Sequence, residues 1–471
     1  MSAEPYDLAV IGAGAAGLAG AVHAAGQGLS VALLDDAAQA GGQFFRHPAP
    51  ALKAGRPQAL HHHWSAFREL RSRLAASAVD HLTGHHVWTV TRDGDLPWAV
   101  HALTGADGEE QRPVCIRARA LLLATGAYER QLPFPGWTLP GVVSAGGVQA
   151  MLKSGLVLPG RRIVVAGSGP LLLAAASSLA TAGARVPLVA EAAGYLGYAR
   201  HPGALAANPG KLAEGALHAK VLARHRVRLS TRSAVTEVHG TDRVEAVTVR
   251  RLDRDWRPLP GTGRRIACDA LAVGHGLVPR IELATALGCA TRQAPDGTSV
   301  LVLDDRQQTS VPGLWAAGET GGIGGWQLAA VEGELAALAV AHRLSGRPAP
   351  ARVRELRRRR DRMRRFAEAM GAAHRPGPGW THWLQDGTEV CRCEEVTAGS
   401  IREAVAELGA RDARTVKLLT RAGMGWCQGR MCGAAVACLA AGGGGAAASE
   451  ERRPFAVPVP LGTLAALDEP N

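Results

Sequence analysis

The sequence predicts an α/β fold in three parts. Two dinucleotide-binding (Rossmann-like) units come first, the second nested inside the first, and a small cysteine-organised domain ends the chain. Three observations lead there. Gly12-Ala-Gly-Ala-Ala-Gly17 follows an apolar run and opens an Ala-rich one. The same order of strand, glycine turn, helix and strand restarts at Arg162. Cys391 and Cys393, then Cys427 and Cys432, stand near the C-terminus, with one residue inside the first pair, thirty-three between the pairs and four inside the second.

The chain has 471 residues, 47% of them apolar, enough core for roughly three domains. A net charge of +12 would suit nucleic acid, an acidic membrane face or an acidic protein. Much of the excess sits between Arg352 and Arg365, aromatics are only 4%, and no nucleic-acid motif appears, so no nucleic-acid partner is expected. Eight cysteines in so long a chain do not make a disulfide scaffold. Cys115, Cys268, Cys289 and Cys438 lie in apolar stretches and read as buried bystanders. Leu171–Ala182 is too short to span a bilayer, and Met1–Tyr6 is no signal peptide. No transmembrane segment is expected. The chain reads as cytoplasmic, with docking at the inner face of the membrane as the alternative.

In order along the chain, Asp7–Ile11 is an apolar strand, Gly12–Gly17 turns into a helix, and Ser30–Asp35 is a second strand. His61–Leu74 has helical spacing; a metal role for His61–His63 is the weaker alternative. Residues 80–120 alternate short runs and turns, as in a β-meander insertion, and Ala120–Thr125 is a buried strand. Then Arg162–Ala166 is a strand, Gly167-Ser-Gly-Pro170 a turn, Leu171–Ala182 a helix and Arg185–Ala190 a strand. The first unit resumes near Gly313–Ala339. The expected boundaries are 1–158 with 296–345 for the first unit, 159–295 for the second, 346–385 for a basic helical linker, 386–440 for the cysteine domain and 441–471 for a Gly spacer and Pro-rich tail. The arginines at 357–360, 362, 364 and 365 read as a solvated helix face or a docking surface.

In the first glycine turn, Gly12 makes the tight bend, Gly14 admits a pyrophosphate and Gly17 lets helix and strand pack closely. The helix N-terminus adds free N–H groups. Asp35 is the expected ribose acceptor, with Asp36 behind it. The remaining pieces point to FAD rather than NAD: Ala40-Gly-Gly-Gln43, Leu123-Ala-Thr-Gly126, Gly313-Leu-Trp-Ala-Ala-Gly318-Glu319 and Gly324-Gly325-Trp326-Gln327. Glu319 is placed to accept from a ribityl hydroxyl, and Gln327 opens a helix aimed at the flavin edge. The second turn has Gly167 and Gly169 but Leu172 in the third position, with Glu191 where a ribose acceptor belongs. NAD or another adenine nucleotide there stays an open question.

Four thiolates can hold a [2Fe–2S] cluster, the Cys391/Cys393 pair on one iron and the Cys427/Cys432 pair on the other. Gly423, Gly425, Gly429 and Gly433 leave backbone N–H groups free to face sulfur. Zinc is a rival that fits Cys-x-Cys poorly, and a redox disulfide between Cys427 and Cys432 is another. Val396–Leu408 reads as an amphipathic helix and Thr415–Thr420 as a short apolar turn. No substrate-activating constellation emerges, so the catalytic residues are unknown. The same residues would also suit an NADH-dependent flavin reductase feeding a carrier through its cluster, or an iron–sulfur assembly module.

The runs Ala124-Thr-Gly-Ala-Tyr-Glu-Arg130, Pro135-Gly-Trp-Thr-Leu-Pro-Gly141, Pro159-Gly160 and Gly167-Ser-Gly-Pro-Leu-Leu172 resemble the α (A) subunit of bacterial heteromeric FAD-dependent amino-acid dehydrogenases. That family includes the opine oxidase, D-hydroxyproline dehydrogenase, archaeal-type proline dehydrogenase and hydrogen cyanide synthase types. The C-terminal part resembles the BFD-like [2Fe–2S] domain, and the tail Arg453–Gly462 fits the same subunits. The resemblance implies nested domains of the pyridine-nucleotide-disulfide-oxidoreductase type. It implies FAD at Gly12, Gly14, Gly17, Asp35, Gly42, Gln43, Thr125, Gly126, Gly318 and Glu319, and a cluster on Cys391, Cys393, Cys427 and Cys432. It further implies a D-amino-acid-oxidase-like FAD β subunit that oxidises a C–N bond. Some relatives add FMN at a subunit interface and a small ferredoxin-like third subunit, and in some the second nucleotide domain is no NADH site.

Overall fold

Strand β1 (Tyr6–Ile11) is buried along its last four residues with no alternation, the mark of a parallel strand covered on both faces. The computed structural model describes residues 4–465 except 62, 93, 96, 106–110 and 443–454. Most of the expected Gly spacer and the start of the tail run, Arg453 and Pro454, therefore lie outside the described residues. Helix α1 (Ala15–Gly26) returns the chain to β2 (Val31–Leu34), parallel to β1. After α2 (Trp64–Ala75) come β3 (Val79–Leu82), β4 (His86–Thr91), β5 (Trp98–Thr104) and β6 (Arg112–Leu123). The sheet runs β3-β2-β1-β6-β5-β4, with Leu314–Ala316 also paired to β6.

The meander expected over 80–120 is not a separate insertion. β3 is a third parallel strand at the sheet edge, and β6 is one strand of 12 residues that closes the meander and then enters the core beside β1. Its outer part alternates exposed and covered residues and its last four residues are uniformly buried. Cys115 falls on an outward position of that alternating part, so it is exposed, whereas Cys268 and Cys289 are buried and Cys438 is half-buried.

β7 (Ala127–Glu129) leads out of this unit to β8 (Val142–Ser144), α3 (Ala145–Gly155), β9 (Ile163–Gly167), α4 (Leu171–Thr181) and β10 (Leu188–Glu191). β11 (Arg228–Thr231) follows, then an antiparallel trio β12 (Ser233–His239), β13 (Ala246–Arg251) and β14 (Arg264–Ala267), and then β15 (Ala270–Gly274). The second sheet is parallel throughout, in the order β11-β10-β9-β15-β8. β16 (Leu277–Pro279) pairs antiparallel with β7, where the chain returns. β8 belongs to this second sheet although it lies before residue 158. Leu283, Ala284 and Cys289 already pack on the first core, ahead of residue 296.

Helix Trp326–Ser345 lies against α1 at backbone contact. A Cβ on Gly333 would collide with the Ala16 carbonyl oxygen, and one on Gly20 would lie 3.4 Å from the Gly333 oxygen. The basic helix Pro350–Ala373 then packs on it, and its arginines are not all solvated. Leu356, Arg360 and Arg364 follow at four-residue spacing on its inner side. Arg364 pairs with Glu332, which is 1% exposed, and donates to the Gly322 carbonyl at 2.5 Å. Glu332 in turn accepts from the Gly318 N–H at 3.0 Å.

The cysteine domain holds a short hairpin (Glu389–Cys391 with Val396–Thr397) and helices Ala398–Ala406, Ala413–Thr420 and Gly433–Ala440. The stretch 415–420 is thus helix, not turn. Asp412 caps it by accepting from the Thr415 N–H, a start signal that the sequence reading missed. This domain and the second unit share one continuous core. Trp137 donates to the Glu389 carbonyl at 2.8 Å, and Trp383 donates to the Trp256 carbonyl at 3.0 Å while stacking on the Trp256 ring. The tail reaches back to the first unit, where the Ala456 N–H donates to the Trp88 carbonyl. Arg430 of the cysteine domain pairs with Glu282 at 2.9 Å and donates to the Ala456 carbonyl.

Gly333→Val forces the two helices apart and should destabilise the chain by about 1–3 kcal/mol, read from chemical denaturation with loss of bound flavin. Arg364→Met leaves a buried carboxylate unpaired and should cost about 3–5 kcal/mol. An unchanged denaturation midpoint in the second variant would show the pair to be inert.

Candidate cofactor sites

The turn between β1 and α1 is shaped by what its neighbours forbid. Gly12 has φ +106° and presses on the Ala124 carbonyl, and Gly17 presses on the Gly12 carbonyl, so neither position has room for a side chain. Gly14 faces Gly42, whose own φ is +59°. Gly12 and Gly14 remain partly exposed, an open cradle beside the N-terminus of α1 that a Cβ would fill. The Asp35 carboxylate accepts from the N–H groups of Ala13 and of Ala37, the latter at 2.8 Å. It therefore stitches the turn to β2 and is only half-buried. Burial, opposed by these N–H donors, pushes its pKa up to about 6. Thr125 donates to the Arg280 carbonyl at 2.5 Å, and the Arg280 N–H donates to the Gly126 carbonyl, so this strand end is tied to the returning chain.

Gly318 (φ +81°) sits against Ala16 of α1 and Ala329 of the facing helix, which brings the last motif onto the first. Glu319 is engaged by its own chain. Its two oxygens accept from Gly324 at 2.7 Å and Gly325 at 3.1 Å, so it holds the glycine turn that starts helix Trp326–Ser345. Gln327 lies half-buried in the first turn of that helix, and Gln43 is exposed beyond Gly42. Sequence reasoning missed the aromatic wall here. Phe45 stacks on Phe67 at 4.8 Å, and Trp326 meets Phe45 edge-on at 5.3 Å. Lys153 of α3 reaches across from the second unit to donate to the Phe44 carbonyl at 3.2 Å, and burial pulls its ammonium down to about 8.

The second turn keeps the backbone form and loses the opening. Gly167 has φ +136° and lies hard against Gly274. Glu191, expected to face a ribose, is 0% exposed and accepts from Gly169 and Ala193, each at 3.0 Å. Gly167, Ser168 and Gly169 are all buried.

In the cysteine domain, Cys391 and Cys432 are buried, Cys427 is half-buried and Cys393 is exposed. The thiols meet crosswise. Cys391 interacts with Cys432, and Cys393 with Cys427, across the two sequence pairs. Contact with Cys432, helped by the N–H groups of Gly423, Glu394 and Cys393, draws the Cys391 thiol down to about 5. A side chain at Gly425 would collide with Cys393, and Gly423 has φ +89°. Among the described residues no three His, Cys, Asp or Glu side chains converge on one ion, whereas two adjoining sulfur pairs suit a two-iron centre. Trp426, beside Cys427, is 81% exposed. Among the described residues no helix is long and apolar enough to cross a membrane.

Comparison with known proteins agrees with this geometry. The family model for pyridine nucleotide-disulphide oxidoreductase matches residues 6–333, and that for the BFD-like [2Fe–2S] binding domain matches residues 389–441. The chain is 34% identical to hydrogen cyanide synthase subunit HcnB of Pseudomonas protegens, over 92% of this chain and 90% of that protein. It is 34% identical to the A subunit of opine oxidase from Agrobacterium tumefaciens, over 92% of this chain and 84% of that protein. The L-proline dehydrogenase from P. horikoshii shares the fold, with a TM-score of 0.67 at 21% identity over 98% of this chain and 79% of that one. The cysteine set therefore belongs to a [2Fe–2S] domain, not to a zinc knuckle or a redox disulfide. The chain is an FAD- and [2Fe–2S]-type oxidoreductase of the pyridine nucleotide-disulphide oxidoreductase family, in the branch that contains HcnB and the opine oxidase A subunit.

Proposed function

We propose that this chain is the electron-transferring subunit of a heteromeric dehydrogenase that oxidises the C–N bond of an amino acid or secondary amine, of the opine, hydroxyproline or glycine kind. The observation that carries the reading is one chain holding an open FAD cradle and a two-iron thiol set, in a branch whose relatives are themselves subunits. A D-amino-acid-oxidase-like FAD subunit would hold the substrate, and a small ferredoxin-like subunit would be a further member. Bound FAD supplies two-electron chemistry and the [2Fe–2S] centre a one-electron outlet.

The chain's own residues divide the work. Gly12, Gly14, Gly17 and Gly42 leave space for the pyrophosphate, and Asp35 holds the turn while keeping lone pairs for a ribose. Thr125, Gly126 and Gly318 pass the nucleotide as backbone. Glu319 sets the N–H groups ahead of Gln327, and the wall of Phe45, Phe67 and Trp326 keeps water out. Cys391 and Cys432 bury one side of the thiol set against the second unit, while Cys393 and Cys427 face outward beside Trp426. That polarity suits electrons arriving from inside and leaving from the surface.

Co-expressed with a D-amino-acid-oxidase-like FAD subunit, the chain should co-purify as a complex whose flavin is bleached anaerobically by an amino acid or amine. The chain alone should not respond to such a substrate. Oxidation of an amine by the isolated chain would refute the division of labour. Cys391→Ser or Cys427→Ser should lower iron and acid-labile sulfide from about two of each per chain to near zero, with flavin retained. FAD affinity should be flat at neutral pH and fall by up to about tenfold per pH unit below 6, as the Asp35 carboxylate that accepts hydrogen bonds is protonated. Asp35→Asn should bind more weakly and lose that slope in a fluorescence titration.

A further inference from the structure

We propose that the second dinucleotide pocket is filled by the chain itself, takes neither a pyridine nor an adenine nucleotide, and serves as the socket that fixes the linker to the cysteine domain. The family to which this chain belongs implies a pyridine nucleotide there, and the residues present do not fit one. Each change acts on a different part of the site. Pro170 caps α4 and has no N–H, so one phosphate donor is lost at the helix start. Leu172 stands where the first unit has Gly17, and there a Cβ would collide with the turn. Leu172 is buried in the second core. Gly169 spends its N–H on Glu191, and Ser168 spends its own on the Gly274 carbonyl at 2.8 Å.

The space above the turn is then occupied. His374, one residue beyond the basic helix Pro350–Ala373 and 8% exposed, lies over Ser168 and Glu191. Its Nδ1 is 3.3 Å from the Ser168 hydroxyl and 3.5 Å from a Glu191 oxygen. The Ser168 hydroxyl is also 3.3 Å from the His374 carbonyl, and Nε2 is 3.2 Å from the Tyr198 hydroxyl. Tyr195 and Tyr198 meet the imidazole edge-on at 5.9 and 5.5 Å. The first unit provides the internal control. In the same chain Gly12, Gly14 and Asp35 are accessible, while Gly167, Gly169 and Glu191 are not. Electrons therefore reach the flavin from a donor other than dihydronicotinamide, a conclusion that holds whichever amine the complex oxidises.

The test uses the full chain loaded with FAD and cluster. Calorimetric titration with NADH, NAD+ and ATP in turn should give no binding tighter than about 1 mM, and NADH should not bleach the flavin. Saturable binding of any of the three below that level overturns the proposal. His374→Ala should speed amide hydrogen exchange across residues 366–384 by roughly tenfold, and Tyr198→Phe by a smaller factor. If His374→Ala fails to retain cofactor, Tyr198→Phe alone decides, since it removes only one hydroxyl. Exchange identical to the parent in that variant overturns the socket.

Discussion

Everything at the flavin end depends on two helices meeting backbone to backbone. α1 and helix Trp326–Ser345 are about three hundred residues apart in sequence, and they touch through Gly20, Gly333 and the Ala16 carbonyl. Side chains there would hold the helices at ordinary interaxial separation. Gly318 would then no longer lie on Ala16, and the two halves of the cradle would part. The ion pair of Glu332 and Arg364 locks the same contact from the outside, because Glu332 also holds the Gly318 N–H. A buried ion pair is a poor source of net stability, yet it punishes any arrangement that separates its members. Its role here is to fix one register of packing.

The first glycine turn, the second nucleotide unit and the four cysteines were legible in sequence because each chemistry needs particular residue types at short spacing. What escaped was set by distant partners. Arg364 looks like any arginine in a basic run, and only its four-residue step from Leu356 and Arg360 hinted at an inner face. Asp35 and Glu319 stand out in the sequence as acids beside the nucleotide strands, but their carboxylates are engaged by backbone N–H groups, those of Ala13 and Ala37 for Asp35 and those of Gly324 and Gly325 for Glu319. His374 carried no local signal at all, since its partners Ser168 and Glu191 lie about two hundred residues away. Cys115 was misjudged because β6 carries two burial patterns on one strand, and a composition window averages them.

The division of the core is the second organising fact. The cysteine domain is not an appendage on a tether. It shares its hydrophobic interior with the second unit through Trp137, Trp256, Trp380 and Trp383. The second unit is thus the mounting for another domain. The basic helix that leads to the cysteine domain ends over the glycine turn of this unit, so one contact serves both.

The strap made by Ala456, Trp88 and Arg430 has a mechanical meaning. The chain crosses between the two units at β7 and β16, and again where the basic helix leads to His374. The cysteine domain is welded to one unit, and Arg430, two residues from Cys432, grips Glu282 on the other. Such cross-bracing removes the swing that two such units would otherwise enjoy. The cysteine domain is thereby tied to both units, so the FAD cradle and the thiol set are held by one braced framework.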